Sequence, residues 1–242
     1  MASEESVSPS ATSVLRAWEH LPGMQRALRA VGKAVSSDTL SLLRIPVTAV
    51  AVALDAASCH ASAAVTYGAA VLTDMGDGAV ARATKTVSRK GMLLDTLCDK
   101  GGNITALVYH IAVQVHALVA SSEALPAMER AAFAAGALAS ITCNIRSQLQ
   151  RGTIREQAAI LWEADTPEGA AVPSAGMIQA NIYGKLKQII ECVAIGALFA
   201  AGREPVVAAG AGATLAVSAA LTEMGRRRRE ANSGQRQEGA IH

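Results

Sequence analysis

The chain has 242 residues, of which 51% are hydrophobic and only 17% charged, and its net charge is +2. That length suffices for one sizeable domain, and the near-neutral balance gives no charge-based case for nucleic-acid binding. Aromatic residues make up just 3%, so alanine and glycine fill much of the apolar quota, as they do where helices pack closely in lipid. A soluble alanine-rich helical protein is the alternative, and the length of the apolar runs argues against it. Cys59, Cys98, Cys143 and Cys192 fall singly in or beside separate apolar segments. Without metal-ligand spacing they read as small packing residues.

The N-terminal MASEESVSPSATS is polar and acidic and leads into no apolar core, so residues 1–12 are predicted disordered with no cleaved signal peptide. From Ser13 to about Lys33, Val14, Leu15, Trp18, Leu21, Met24, Leu28 and Val31 recur at helical spacing, with Arg16, Arg26, Arg29 and Lys33 between them and Pro22-Gly23 as an interruption. This predicts an amphipathic helix over 13–36 lying in the interface of an anionic membrane. Six apolar segments follow, near 40–59, 61–73, 91–120, 127–145, 186–201 and 206–224. Basic residues crowd alternate links: the stretch before the first segment through Arg44, then Arg82 to Lys90, Arg146 to Lys187, and Arg226 to Arg229. The short links between them hold Arg203 alone. The bias of positive charge toward one side predicts six transmembrane helices over 38–225, with both termini cytoplasmic in the cell membrane. Asp165–Gly176 reads as a loop. Residues 226–242 form a basic, lipid-binding and then polar tail, predicted disordered from Glu230. No internal repeat of the kind that marks many transporters is present.

Asp74 to Lys100 places four aspartates in this apolar setting. Asp74 and Asp77 stand three apart, and Asp95 and Asp99 four apart, spacings that put each pair on one helix face. One carboxylate at membrane depth costs on the order of 2.5–3.5 kcal/mol by insertion scales, and four together repel. A divalent metal is the simplest neutralising partner. Two facing carboxylate pairs can hold two such ions and clamp a diphosphate. The charged links put the stretch near the cytoplasmic rim, where that cost is smaller. His110 and His116 lie six apart on different faces and read as packing or pore-side residues. Glu191 is an intramembrane carboxylate, a functional candidate by default, that also stands one turn from Lys187.

The stretch reads D-x2-D-G-x2-A-R-x8-G-x3-D-x3-D from Asp74 to Asp99. This resembles the signature of the CDP-alcohol phosphatidyltransferase family, also called the CDP-alcohol phosphotransferases, over about residues 38–222. The resemblance implies an all-α integral membrane enzyme that transfers a phosphatidyl group from CDP-diacylglycerol to an alcohol and releases CMP. It implies two divalent ions, Mg²⁺ or Mn²⁺, with Asp74, Asp77 and Asp95 as ligands. Asp99 becomes the general base for the acceptor hydroxyl and a further metal ligand, while Gly78, Ala81, Arg82 and Gly91 line the nucleotide site. It also implies a homodimer.

GMLLDTLCDK with Lys100, the Gly184-Lys185-Leu186-Lys187 stretch and Leu42-Leu43-Arg44 resemble the phosphatidylglycerophosphate synthase form. Glycerol 3-phosphate is therefore the expected acceptor, with Arg44, Arg146, Lys185 and Lys187 as candidates for its phosphate. Each also reads as a topology anchor. Inositol phosphate is the competing acceptor, since Cys98-Asp99-Lys100 also resembles the short Cys-Asp-Arg ending of those synthases. A cation or solute transporter and a silent membrane scaffold are the readings from other classes.

Overall fold

The computed structural model describes residue 19 and residues 21–120, 124–149, 154–162 and 182–238. The expected disorder of residues 1–12, the loop Asp165–Gly176 and most of the start of the amphipathic helix lie outside them. Every regular element among the described residues is helical. Helix α1 spans Pro22–Ala34. Pro22, expected to interrupt, instead opens the helix, because the first turn has no use for its missing N–H. Leu28 is buried against Ala79 and Val80, whereas Leu21 and Val31 stay exposed.

The six predicted segments appear as α2 (Ser37–Ala56), α3 (His60–Thr84), α4 (Arg89–Ala120), α5 (Ala124–Leu149), α7 (Ile182–Ala201) and α8 (Pro205–Glu238). A short helix, α6 (Ile154–Trp162), sits in the long link after α5. Among the described residues, three helices are long and apolar enough to cross a membrane: α2, α4 and the Pro205–Arg227 part of α8. In helix α7 the three charged residues, Lys185, Lys187 and Glu191, crowd into its first half. Helix α8 continues through Glu238, past Glu230 where disorder was expected. The run Arg226 to Ala231 consists of good helix formers, and one Gly234 does not end it.

Helix α2 shows how the bundle is organised. Ser36 caps it, its hydroxyl oxygen accepting the Thr39 N–H at 3.1 Å. Its buried residues are Ser41, Arg44, Thr48, Ala51 and Asp55, a mostly polar stripe at helical spacing. Leu42, Leu43, Ile45 and Val50 face outward. A soluble helix would have the reverse arrangement. Here the apolar face suits lipid, and the polar stripe faces the bundle.

Helix α2 packs against both α3 and α4, while α7 contacts α3, α4 and α8, and α5 contacts α4 and α8. The core gathers Tyr67, Leu107, Phe133, Ile195, Leu198, Phe199 and Leu215 among buried alanines. Where α5 crosses α8, a Cβ on Gly136 would lie 2.0 Å from the Gly212 carbonyl oxygen. Only glycine permits that approach.

Candidate active site

Helix α3 does not stop where its apolar run ends at Thr73. It continues to Thr84, so Asp74 and Asp77 project from a rigid helix toward Asp95 on α4. Carboxylate oxygens of Asp74, Asp77 and Asp95 all lie within 4.8 Å of one another, with Asp77 buried and the other two half-buried. Oxygen donors gathered this closely suit a hard divalent cation such as Mg²⁺ or Mn²⁺. The charge agrees, since three like charges this close repel unless neutralised.

Asp99 stands apart from that trio. The Arg44 guanidinium from α2 lies 2.6 Å from its Oδ1, and the Gln188 amide of α7 donates to the same oxygen. Arg44 also pairs with Asp74, so one cation from α2 bridges α3 and α4. Arg44 is almost wholly buried. Asn103 accepts from it at 3.5 Å and takes the Tyr67 hydroxyl at 3.0 Å. The Ser41 hydroxyl, one turn before Arg44, donates to Asp77 Oδ2.

The other predicted residues are placed as follows. Ala81 is half-buried on α3. Arg82 donates to both carboxylate oxygens of Glu19, Nε at 2.9 Å and Nη2 at 2.7 Å. The Arg82 Nη1 lies 3.0 Å from where a Cβ on Gly78 would be. Gly91 faces the Asp38 carboxylate and Ser88, so its lack of a side chain serves the α2–α4 contact.

The acceptor candidates do not converge. Arg44 is in the aspartate centre, Arg146 is exposed in the last turn of α5, and Lys185 is half-buried at the start of α7. Lys187 is buried in a separate cluster, bonded to Asn144 and 3.0 Å from Glu191. Lys100 reaches Ser147 at 2.6 Å and Gln148 at 3.2 Å. His110 is buried against Tyr109 and Phe199, whereas His116 is exposed. All four cysteines are free thiols.

A profile of the CDP-alcohol phosphatidyltransferase family matches residues 35–223, most of the chain. The chain belongs to this family. No individual curated protein and no solved structure matched it. Membership makes the chain a transferase of phospholipid biosynthesis, in a membrane-bound family that moves a phosphatidyl group from a CDP-alcohol donor to an alcohol acceptor. The family needs divalent metal, and the Asp74–Asp77–Asp95 cluster can hold it.

Three residues at this phosphatidyltransferase centre escape sequence reasoning. Ser41 had a signal, because it lies three residues before Arg44 in the polar stripe of α2. Gln188 and Glu19 had none beyond being polar.

Proposed function

We propose that this phosphatidyltransferase uses CDP-diacylglycerol as donor and glycerol 3-phosphate as acceptor, releasing CMP. The acceptor hydroxyl oxygen forms the new bond to the phosphatidyl phosphorus, the bond from that phosphorus to CMP breaks, and the hydroxyl proton passes to Asp99. The observation that carries this reading is the pairing of an aspartate trio with a fourth aspartate held apart from it. Asp99 Oδ1 is occupied by Arg44 and Gln188, which leaves Oδ2 as the oxygen for the acceptor's proton. Asp74, Asp77 and Asp95 would hold divalent metal, which would supply positive charge that offsets charge developing on the diphosphate.

Gly78, Ala81, Arg82 and Gly91 form the nucleotide side of the site. Arg146 and Lys185 are assigned to the acceptor phosphate. Lys187 is withdrawn from that set, because Glu191 already neutralises it in a buried cluster. Arg44 is given to the aspartates instead. The chain spans the cell membrane six times as a homodimer, with α1 in the interface and termini and active site cytoplasmic. The inward polar stripe and outward leucines of α2 support the transmembrane part.

The test is CMP release from CDP-diacylglycerol by purified protein with Mg²⁺ or Mn²⁺ and one acceptor at a time: glycerol 3-phosphate, inositol 1-phosphate, inositol or serine. Turnover with glycerol 3-phosphate is expected. Turnover with inositol 1-phosphate alone replaces the acceptor, and no turnover with any of them sinks the transferase reading.

A further inference from the structure

We infer that Glu19 is a positioning residue that fixes Arg82 for the donor nucleotide, which makes the N-terminal segment part of the active site. This rests on the transferase reading above. Glu19 precedes α1 and is only 6% exposed. Its carboxylate holds one edge of the Arg82 guanidinium, Nε and Nη2, at 2.9 and 2.7 Å. This is the side-on, two-bond arrangement that fixes both position and plane. The opposite edge, Nη1, lies over Gly78, on the stretch of α3 that carries Asp77. Arg82 thus presents its remaining donors where an anionic group of a bound nucleotide would lie against the helix backbone.

A second physical reason concerns competition. Asp74, Asp77 and Asp95 form a concentrated negative site, and one arginine, Arg44, already pairs with Asp74. An unheld Arg82 could swing toward the same carboxylates and compete with metal. Glu19 supplies a local counter-charge that removes this incentive.

The holding group is itself well anchored. Leu28 of α1 packs on Ala79 and Val80, and a Cβ on Gly32 would lie 2.4 Å from the Thr84 methyl. Helix α1 is therefore docked along the same two turns of α3 that bear Arg82. The Gln25 amide also donates to the Glu19 carbonyl at 2.8 Å, tying the residue to that helix.

The experiment compares wild type, Glu19→Gln, Glu19→Asp and a matched control, Glu223→Gln. The control breaks an ion pair with Arg226 and Arg227 at 2.8 and 3.2 Å, in α8. Full-length protein in detergent is assayed for CDP binding by equilibrium dialysis and for the KM and kcat of CDP-diacylglycerol turnover. Glu19→Gln is expected to weaken CDP binding and raise KM about tenfold, the factor carried by one lost charge-assisted contact, with kcat changed less than about twofold. Glu19→Asp, which keeps the charge and shortens the reach, falls between, and carries the comparison alone if Glu19→Gln does not fold. Glu223→Gln matches wild type. Unchanged CDP binding with a lowered Tm makes Glu19 a strut and overturns the inference, as does tighter CDP binding, which makes Glu19 a competitor of the nucleotide. Failure of the transferase reading looks different, because wild type itself then neither binds CDP nor releases CMP.

Discussion

Lys187 and Glu191 on α7 form a closed set with residues of α5 and α8. The ammonium lies 3.0 Å from Glu191 Oε2 and donates to Asn144. Glu191 Oε1 takes the Ser140 hydroxyl, the Asn144 amide at 3.0 Å and the Ser218 hydroxyl at 3.1 Å. One positive and one negative charge cancel there, and Glu191 is wholly buried. The aspartate centre is built differently. Asp74, Asp77, Asp95 and Asp99 bring four carboxylates, and among the described residues Arg44 is the cation that pairs directly with Asp74 and Asp99. Asp74 and Asp95 are also only half-buried. A buried network that closes on itself holds helices in register. A network with charge left over is an incomplete site, one that draws in a cation or takes up protons.

The contrast breaks if the two clusters respond alike to loss of a carboxylate's charge. The largest effect is expected at Asp99. Asp99→Asn keeps an oxygen for Arg44 and Gln188 but takes no proton, so CMP release is expected to fall about a thousandfold. The helical signal in circular dichroism and the Tm stay near wild type. Activity within tenfold of wild type removes Asp99 as the base. The second effect is one of stability. Glu191→Gln leaves the Lys187 ammonium buried beside a neutral amide, at a cost of about 3 kcal/mol in thermal unfolding. The double variant Lys187→Met, Glu191→Leu is expected to recover most of that loss, because it removes both buried charges together. If the double variant is as damaged as the single one, the cluster is not a neutral, closed set.

Much of this architecture is legible in the sequence, for identifiable reasons. Six helices follow from apolar runs long enough to need burial or lipid, and the Asp74–Asp99 spacing follows from carboxylates that share helix faces. The Lys187–Glu191 pair is local, one helical turn apart, and so is visible without a fold. What the sequence conceals is long-range. Gln188 meets Asp99 across 89 positions, Ser41 meets Asp77 across 36 and Arg82 meets Glu19 across 63. A lone polar residue carries no mark of its distant partner. Lys187 shows the same limit from the other side: its charge and place suggested phosphate binding, and only the fold shows it buried with Glu191 and bonded to Asn144 of α5. The helix through Glu238 was hidden by composition, since a polar stretch with helix-forming residues reads the same as a disordered one.

The smallest expected effect sharpens the comparison most, because its sign is opposite to that at Glu191. Asp95→Asn removes one of three carboxylates whose oxygens lie within 4.8 Å of one another. In metal-free buffer with a chelator, neutralising it relieves like-charge repulsion and the burden of a half-buried charge. The variant is expected to be more stable than wild type by about 1 kcal/mol, or roughly 2–4 °C in Tm for a chain of this size. Adding Mg²⁺ or Mn²⁺ reverses the order. Wild type gains RT ln(1 + [L]/Kd), about 2.7 kcal/mol at a hundredfold excess over Kd, while the variant, short of a charged ligand, gains less. Thermal unfolding of both proteins with and without metal reads the crossing directly. A variant less stable than wild type in chelator means that the aspartates are satisfied from within, as Glu191 is, and the distinction between a closed cluster and an open one fails at this site.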